Sequence, residues 1–179
     1  KVNAGRMRGK NILVSGNLAG GNGGGLRLGW SAELTLVNAV IAGNRAEGGG
    51  GGLYAGTNGA GTVENTIIWG NVGRSGADQV GFAQGSAKFT YRNSDVQGSG
   101  GSGSWSTTLG RNGGGNIDSD PYFQDPVDPL EAPTTNGSLR LLEGSPALNA
   151  GSNKLIGLST DLDGEERTQE GTVDPGPYE

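Results

Sequence analysis

Asparagine recurs in this chain every 27 residues, at Asn11, Asn38 and Asn65, and again one residue late at Asn93. Asn17, Asn44 and Asn71 keep the same step, as do Leu26, Leu53 and Val80, and Leu28, Ala55 and Phe82. Several independent series in one register define a structural repeat. A unit this short cannot bury an apolar face alone, so it must stack on its copies. Within each unit the apolar residues alternate at a spacing of two, the strand period and not the helical one. Strands end near the first asparagine (Leu34, Leu36, Asn38; Phe89, Tyr91, Asn93) and resume in Ala39-Val40-Ile41 or Thr66-Ile67-Ile68. They stop at Gly16-Asn17, Gly43-Asn44 and Gly70-Asn71, and glycine runs then lead to Leu26 and Leu53.

These features specify an all-β chain: a right-handed parallel β-helix, or solenoid, of about 27-residue coils with a non-repetitive C-terminal tail. Corners without helices demand positive φ, which glycine reaches freely and asparagine better than most residues. Stacking also places equivalent asparagines roughly 4.8 Å apart, close enough for amide ladders. Three inward columns are expected: Leu26/Leu53/Val80, Leu36/Val63/Tyr91 and Val14/Ile41/Ile68/Val96. Alternation then turns Leu13, Val40 and Ile67 outward, extended by Ala42 and Trp69. We expect the tail to cover this apolar stripe through Leu139, Leu141 and Ala147-Leu148.

The 179 residues divide by composition into coils (1–98), a Gly/Ser-rich loop (99–115) and an acidic tail (116–179). Residues 1–115 carry a net charge of +5 and residues 116–179 a net −10. The cations of the first part read as scattered, without a cluster or interleaved aromatics, so no nucleic-acid partner is expected. No apolar run reaches the roughly 18 residues of a membrane span. The start at Lys1, without methionine or signal peptide, suggests a processed chain or a piece of a longer β-helix. The repeat enters there without a recognisable cap, which leaves head-to-tail self-association open as a second explanation.

Cysteine and histidine are absent, which removes disulfides, thiolate chemistry, Cys/His metal sites and imidazole bases. The coil carboxylates Glu33, Glu47, Glu64, Asp78 and Asp95 form no Asp-Asp or Asp-x-Asp pair, so a paired-carboxylate glycosidase has no support. In the tail, Asp118-Ser-Asp120-Pro121 reads as a turn or a metal loop, and Asp161-Leu-Asp163-Gly164-Glu165 as a turn. The latter opens like a calcium loop, but the twelfth position is Thr172 where a closing glutamate is needed. Calcium at that loop is the one cofactor considered; no catalytic, cofactor or metal residue is assigned. Trp30, Tyr54, Trp69 and Trp105 share no column, so packing is expected of them before sugar stacking.

The Gly-Gly-Gly-Leu and [VI]-x-Gly-Asn signals resemble the repeats of bacterial polymorphic outer-membrane proteins. A closer likeness is to the choice-of-anchor Q proteins, secreted pectate-lyase-like β-helices. It rests on Asn65-Thr-Ile-Ile-Trp-Gly-Asn71, Ser94-Asp-Val-Gln-Gly98 and Gly115-Asn-Ile-Asp-Ser-Asp-Pro-Tyr-Phe123. It continues in Leu139-Arg-Leu-Leu-Glu-Gly-Ser-Pro-Ala-Leu-Asn-Ala-Gly151, Thr160-Asp-Leu-Asp-Gly164, Arg167 and Asp174-Pro-Gly-Pro-Tyr-Glu179. Pro175 and Pro177 stand where that family usually ends in Ile-Gly-Ala. The resemblance implies an exported bacterial protein, secreted or at the cell surface, and carries no agreed activity. The expected function is a non-catalytic surface β-helix: adhesin, matrix component or filament subunit, with a glycan or other cell-surface ligand. The alternative is a polysaccharide lyase or glycoside hydrolase, or a truncated piece of one.

Overall fold

The computed structural model describes residues 5–83, 88–155, 158–169 and 171–179. Lys1, where the repeat enters, lies outside them. The first coil comprises β1 (Arg6–Ser15), β2 (Leu18–Ala19) and β3 (Leu26–Leu28). The second comprises β4 (Glu33–Ala42), β5 (Arg45–Ala46) and β6 (Leu53–Ala55). The third comprises β7 (Ala60–Trp69), β8 (Val72–Gly73), β9 (Gly76–Ala77) and β10 (Val80–Phe82). A fourth, incomplete coil supplies β11 (Lys88–Arg92) and β12 (Asp95–Val96). Equivalent strands pair in parallel with a step of 27, as in Arg6↔Glu33↔Ala60 and Leu26↔Leu53↔Val80. The molecule is therefore a parallel β-solenoid with three sheets.

The first asparagine series does not end strands. Asn11, Asn38, Asn65 and Asn93 sit at φ 48, 53, 46 and 46, and in the first three coils the strand runs on through the corner as one ten-residue element. One left-handed residue bends the chain and reverses its alternation. Leu34 and Leu36 point inward before Asn38; Ala39 and Ile41 point inward after it. All three expected inward columns lie in one apolar core, with Leu36, Ile41, Leu53, Val63, Ile68, Tyr91 and Val96 fully buried.

The second asparagine series builds a continuous ladder. Asn17 Nδ2 donates to Asn44 Oδ1 (2.9 Å) and Asn44 Nδ2 to Asn71 Oδ1 (2.9 Å). Gln79 and Gln97 extend it: Asn71 Nδ2 donates to Gln79 Oε1 and Gln79 Nε2 to Gln97 Oε1, both at 2.8 Å. Each inner oxygen also accepts the backbone N–H of the preceding asparagine. The first series makes a single rung, Asn65 Nδ2 to Asn38 Oδ1. Replacing Asn44, which is fully buried, by leucine would remove the acceptor shared by two Asn17 N–H groups and the side-chain donor to Asn71 Oδ1 and to the Val14 and Ala42 carbonyls. We predict a loss of about 3 kcal/mol in urea unfolding, since stranded buried polar groups cost about 1–3 kcal/mol each. A loss below about 1 kcal/mol would mean that the ladder is ornamental.

Residues 99–117 close the C-terminal end. Trp105 lies on Tyr91, with ring centroids 5.2 Å apart, and donates its indole N–H to the Gly110 carbonyl. Leu109 packs on the same core. A short strand, β13 (Arg111–Asn112), then pairs in parallel with β11, and Ile117 bridges to Asp95. The Gly/Ser-rich stretch thus carries a 3-10 turn at Thr107–Leu109 and a strand that belongs to the first sheet.

The remaining chain folds back over the outside of the coils. Its hairpin, β14 (Phe123–Asp125) with β15 (Ser138–Leu141), is antiparallel. Phe123, Val127, Leu139 and Ala147 form a second core with Val40, Ala42 and Ile67, against which Trp69 and Leu141 pack. Leu13, at the first coil, stays 38% exposed. Contact is close at the Gly-Asn corners. A Cβ at Gly43 (φ 61) would lie 2.5 Å from Val127 Cβ, so glycine is required there both for its backbone and for room.

Candidate binding surface

The tail occupies one face of the solenoid, the part of the first sheet that follows the asparagine corner, where that sheet bends. It is fastened along the first asparagine column. Asn11 Nδ2 donates to the Thr160 carbonyl (2.6 Å), while Asn65 exchanges two hydrogen bonds with the Ser152 backbone (2.9 and 3.1 Å). This column is a docking seam more than a ladder.

The carboxylates singled out in the sequence do not converge. Asp118 spends its oxygens on the Gly98 and Gly100 N–H groups. Asp161 accepts from the Asp163 and Glu165 N–H groups on one oxygen and from Glu179 N–H on the other, and Asp163 pairs with Arg140. The Asp161 loop therefore uses both oxygens of its leading carboxylate to fix turns. Among the described residues no group of three His, Cys, Asp or Glu could hold a metal ion.

Two carboxyl groups are chemically unusual. Asp95 is fully buried in the outward row of Val40 and Ile67; its Oδ1 accepts from Ser119 N–H and its Oδ2 has no donor. Burial, reinforced by Asp118 and Asp120, pushes this carboxyl up to about 7. Glu179 is also raised to about 7, by burial and by Asp174, against the opposing pull of Arg167. The Arg167 guanidinium is itself buried and its pKa lowered by desolvation; it donates to the carbonyls of Asp174 and Gly176. Both carboxyls lie where the tail meets the coils or folds on itself, which marks them as structural.

The first sheet, ahead of the asparagine corner, presents a different surface. Its outward residues form columns: Arg6 and Glu33; Arg8, Thr35, Thr62, Thr90 and Arg111; Lys10, Val37, Glu64 and Arg92. Arg6, Arg8, Lys10 and Arg111 are exposed and the three threonines half-buried. Arg6 pairs with Glu33 at 2.7 Å and Arg92 with Glu64 at 3.0 Å. Among the described side chains, five cations therefore face two carboxylates. Arg8 and Arg111 stand four rungs apart, about 19 Å at the usual strand spacing, at the two ends of a threonine row. Cations about a hundred residues apart in sequence share this face, because each coil returns the chain to it. The visible signal was the alternation Arg6, Arg8, Lys10, which puts three charges on one side of one strand.

Of the aromatic residues, Trp69 and Trp105 pack in the two cores. Tyr54 receives the Arg27 guanidinium 5.9 Å from its ring centre. Trp30 is 68% exposed on the turn that leads into β4.

The fold and this surface define a class: a parallel β-solenoid with one face latched by its own tail and another left open, basic and hydroxyl-lined. No family model, curated protein or solved structure matches the chain. No helix among the described residues is long and apolar enough to cross a membrane.

Proposed function

We propose that this protein is a non-catalytic, secreted or surface-displayed bacterial β-solenoid, of the choice-of-anchor Q kind, that holds an acidic polysaccharide along the open face of its first sheet. The observation that carries this reading is the excess of cations beside a threonine row on a parallel sheet. Guanidinium groups bind carboxylates in paired hydrogen bonds, and threonine hydroxyls both donate to and accept from sugar hydroxyls. A regular rung spacing suits a polymer better than a single small molecule. Adhesin or matrix component fits this chemistry. A lyase or hydrolase reading has less support, because the carboxylates near the face are each committed to an arginine. A filament subunit also has less support, because residues 99–117 occupy the C-terminal end of the stack.

Affinity electrophoresis tests the proposal. Polygalacturonate in the gel should retard the protein at low salt and dextran should not, with the effect fading as salt rises past about 0.15 M. Arg8→Gln with Arg111→Gln should weaken retardation roughly tenfold, at about 0.7 kcal/mol for each exposed ionic contact. Equal retardation by dextran, or none by polygalacturonate, would refute it.

A further inference from the structure

The two ends of the solenoid differ. At the C-terminal end the core is closed by Trp105, Leu109 and β13. At the first coil Met7, Ile12, Val14 and Leu26 are only partly buried, although they occupy core columns. Among the described residues β1 pairs on one side only, whereas β11 at the far end of the same sheet is covered by β13; the β3-β6-β10 sheet has an edge at both ends. The amide ladder has a direction that matches this asymmetry. The inner oxygens of Asn44 and Asn71 each accept two N–H groups from the preceding coil, one from side chain and one from backbone, and Gln79 accepts the same pair from Asn71 within the third coil. Asn17 is exposed, and its Oδ1 accepts nothing among the described residues. The first-coil face is therefore built as the acceptor half of the same coil-to-coil interface that recurs below it.

We propose that this end is an interaction surface for one further parallel coil of the 27-residue pattern, whose Gly-Asn corner donates its backbone and side-chain N–H to Asn17 Oδ1. A second copy of the chain does not fit. Its C-terminal end is closed, and two first-coil ends brought together would set acceptor against acceptor and the Arg6, Arg8 and Lys10 cluster against itself. The inference is independent of the polysaccharide reading.

The experiment inserts a duplicate of residues 33–59 between Gly5 and Arg6, which preserves the register because Arg6, Glu33 and Ala60 are equivalent. Hydrogen exchange should show the inserted strand protected and exchange across β1 slowed at least tenfold. Asn17→Leu should then cost about fivefold more protection at this corner in the extended protein than in the parent, as expected for one extra buried amide hydrogen bond. An inserted coil that exchanges like free peptide, with β1 unchanged, would show the end to be a finished cap and overturn the proposal. So would concentration-dependent dimerisation of the unmodified protein that Asn17→Lys abolishes, since the occupant of this end would then be a second copy. Polysaccharide binding by the open sheet is unaffected by either result.

Discussion

Ile41→Asp is expected to abolish cooperative folding. Ile41 is completely buried and stacked between Val14 and Ile68 in the central inward column. Truncating such a side chain costs about 2–5 kcal/mol by itself. A lone carboxylate adds a desolvation penalty that nothing in this apolar core offsets. Together these approach the whole stability of an ordinary domain, about 5–15 kcal/mol. The solenoid magnifies the effect, since each coil is stable only through its neighbours and the second coil lies between the first and third. Circular dichroism should show no sigmoidal melt for this variant, whereas Ile41→Val should lose about 1 kcal/mol. A melting temperature within a degree or two of the parent for Ile41→Asp would remove Ile41 from the core.

The second large effect is on pH dependence. Below about pH 4 Asp95 is protonated in folded and unfolded chains alike, and its contribution to stability is fully present. The folded carboxyl, raised to about 7 by burial and by Asp118 and Asp120, keeps its proton over a range in which the unfolded chain has released it. Stability therefore falls as pH rises from about 4 and is lost as pH passes through 7. For Asp95 this amounts to roughly 2–3 kcal/mol between about pH 5 and pH 8, or about 5–10 °C in melting temperature for a chain of this size. Glu179, raised in the same direction, acts with the same sign. Asp95→Asn keeps an acceptor for Ser119 N–H and cannot ionise. Melts across this range should show a flatter profile for the variant and higher stability than the parent at about pH 8. A parent that gains stability from pH 5 to 8, or a variant with the parent's slope, would contradict the assignment.

Much of this architecture was legible in the chain, for reasons that follow from periodicity. A 27-residue step places Val14, Ile41 and Ile68 in one column once the elements are known to be strands, and alternation then assigns the outer stripe. The Gly-Asn corners announced their ladder because each pair recurs in register. Other features had no local signature. Both asparagine series look alike in sequence, but one faces its own copies and becomes a ladder, while the other faces the tail and becomes a seam. Gln79 and Gln97 continue the ladder from outside the period, because a longer side chain can reach the rung beyond Asn71, where the fourth coil has no asparagine.

What the sequence determined by itself was the coil: its length, its corners and which residues turn inward, all set by repeated local chemistry. The tertiary structure decided everything that depends on what lies across a face. It collected Arg6, Arg8, Lys10, Arg92 and Arg111 on one open sheet, and it closed one end of the stack with Trp105 while leaving Asn17 open at the other. It also buried Asp95 where Leu13, its counterpart in the first coil, stays exposed. The physical reason is that burial and electrostatic environment belong to pairs of surfaces, and the partner surface here comes from a tail and a cap that follow no repeat.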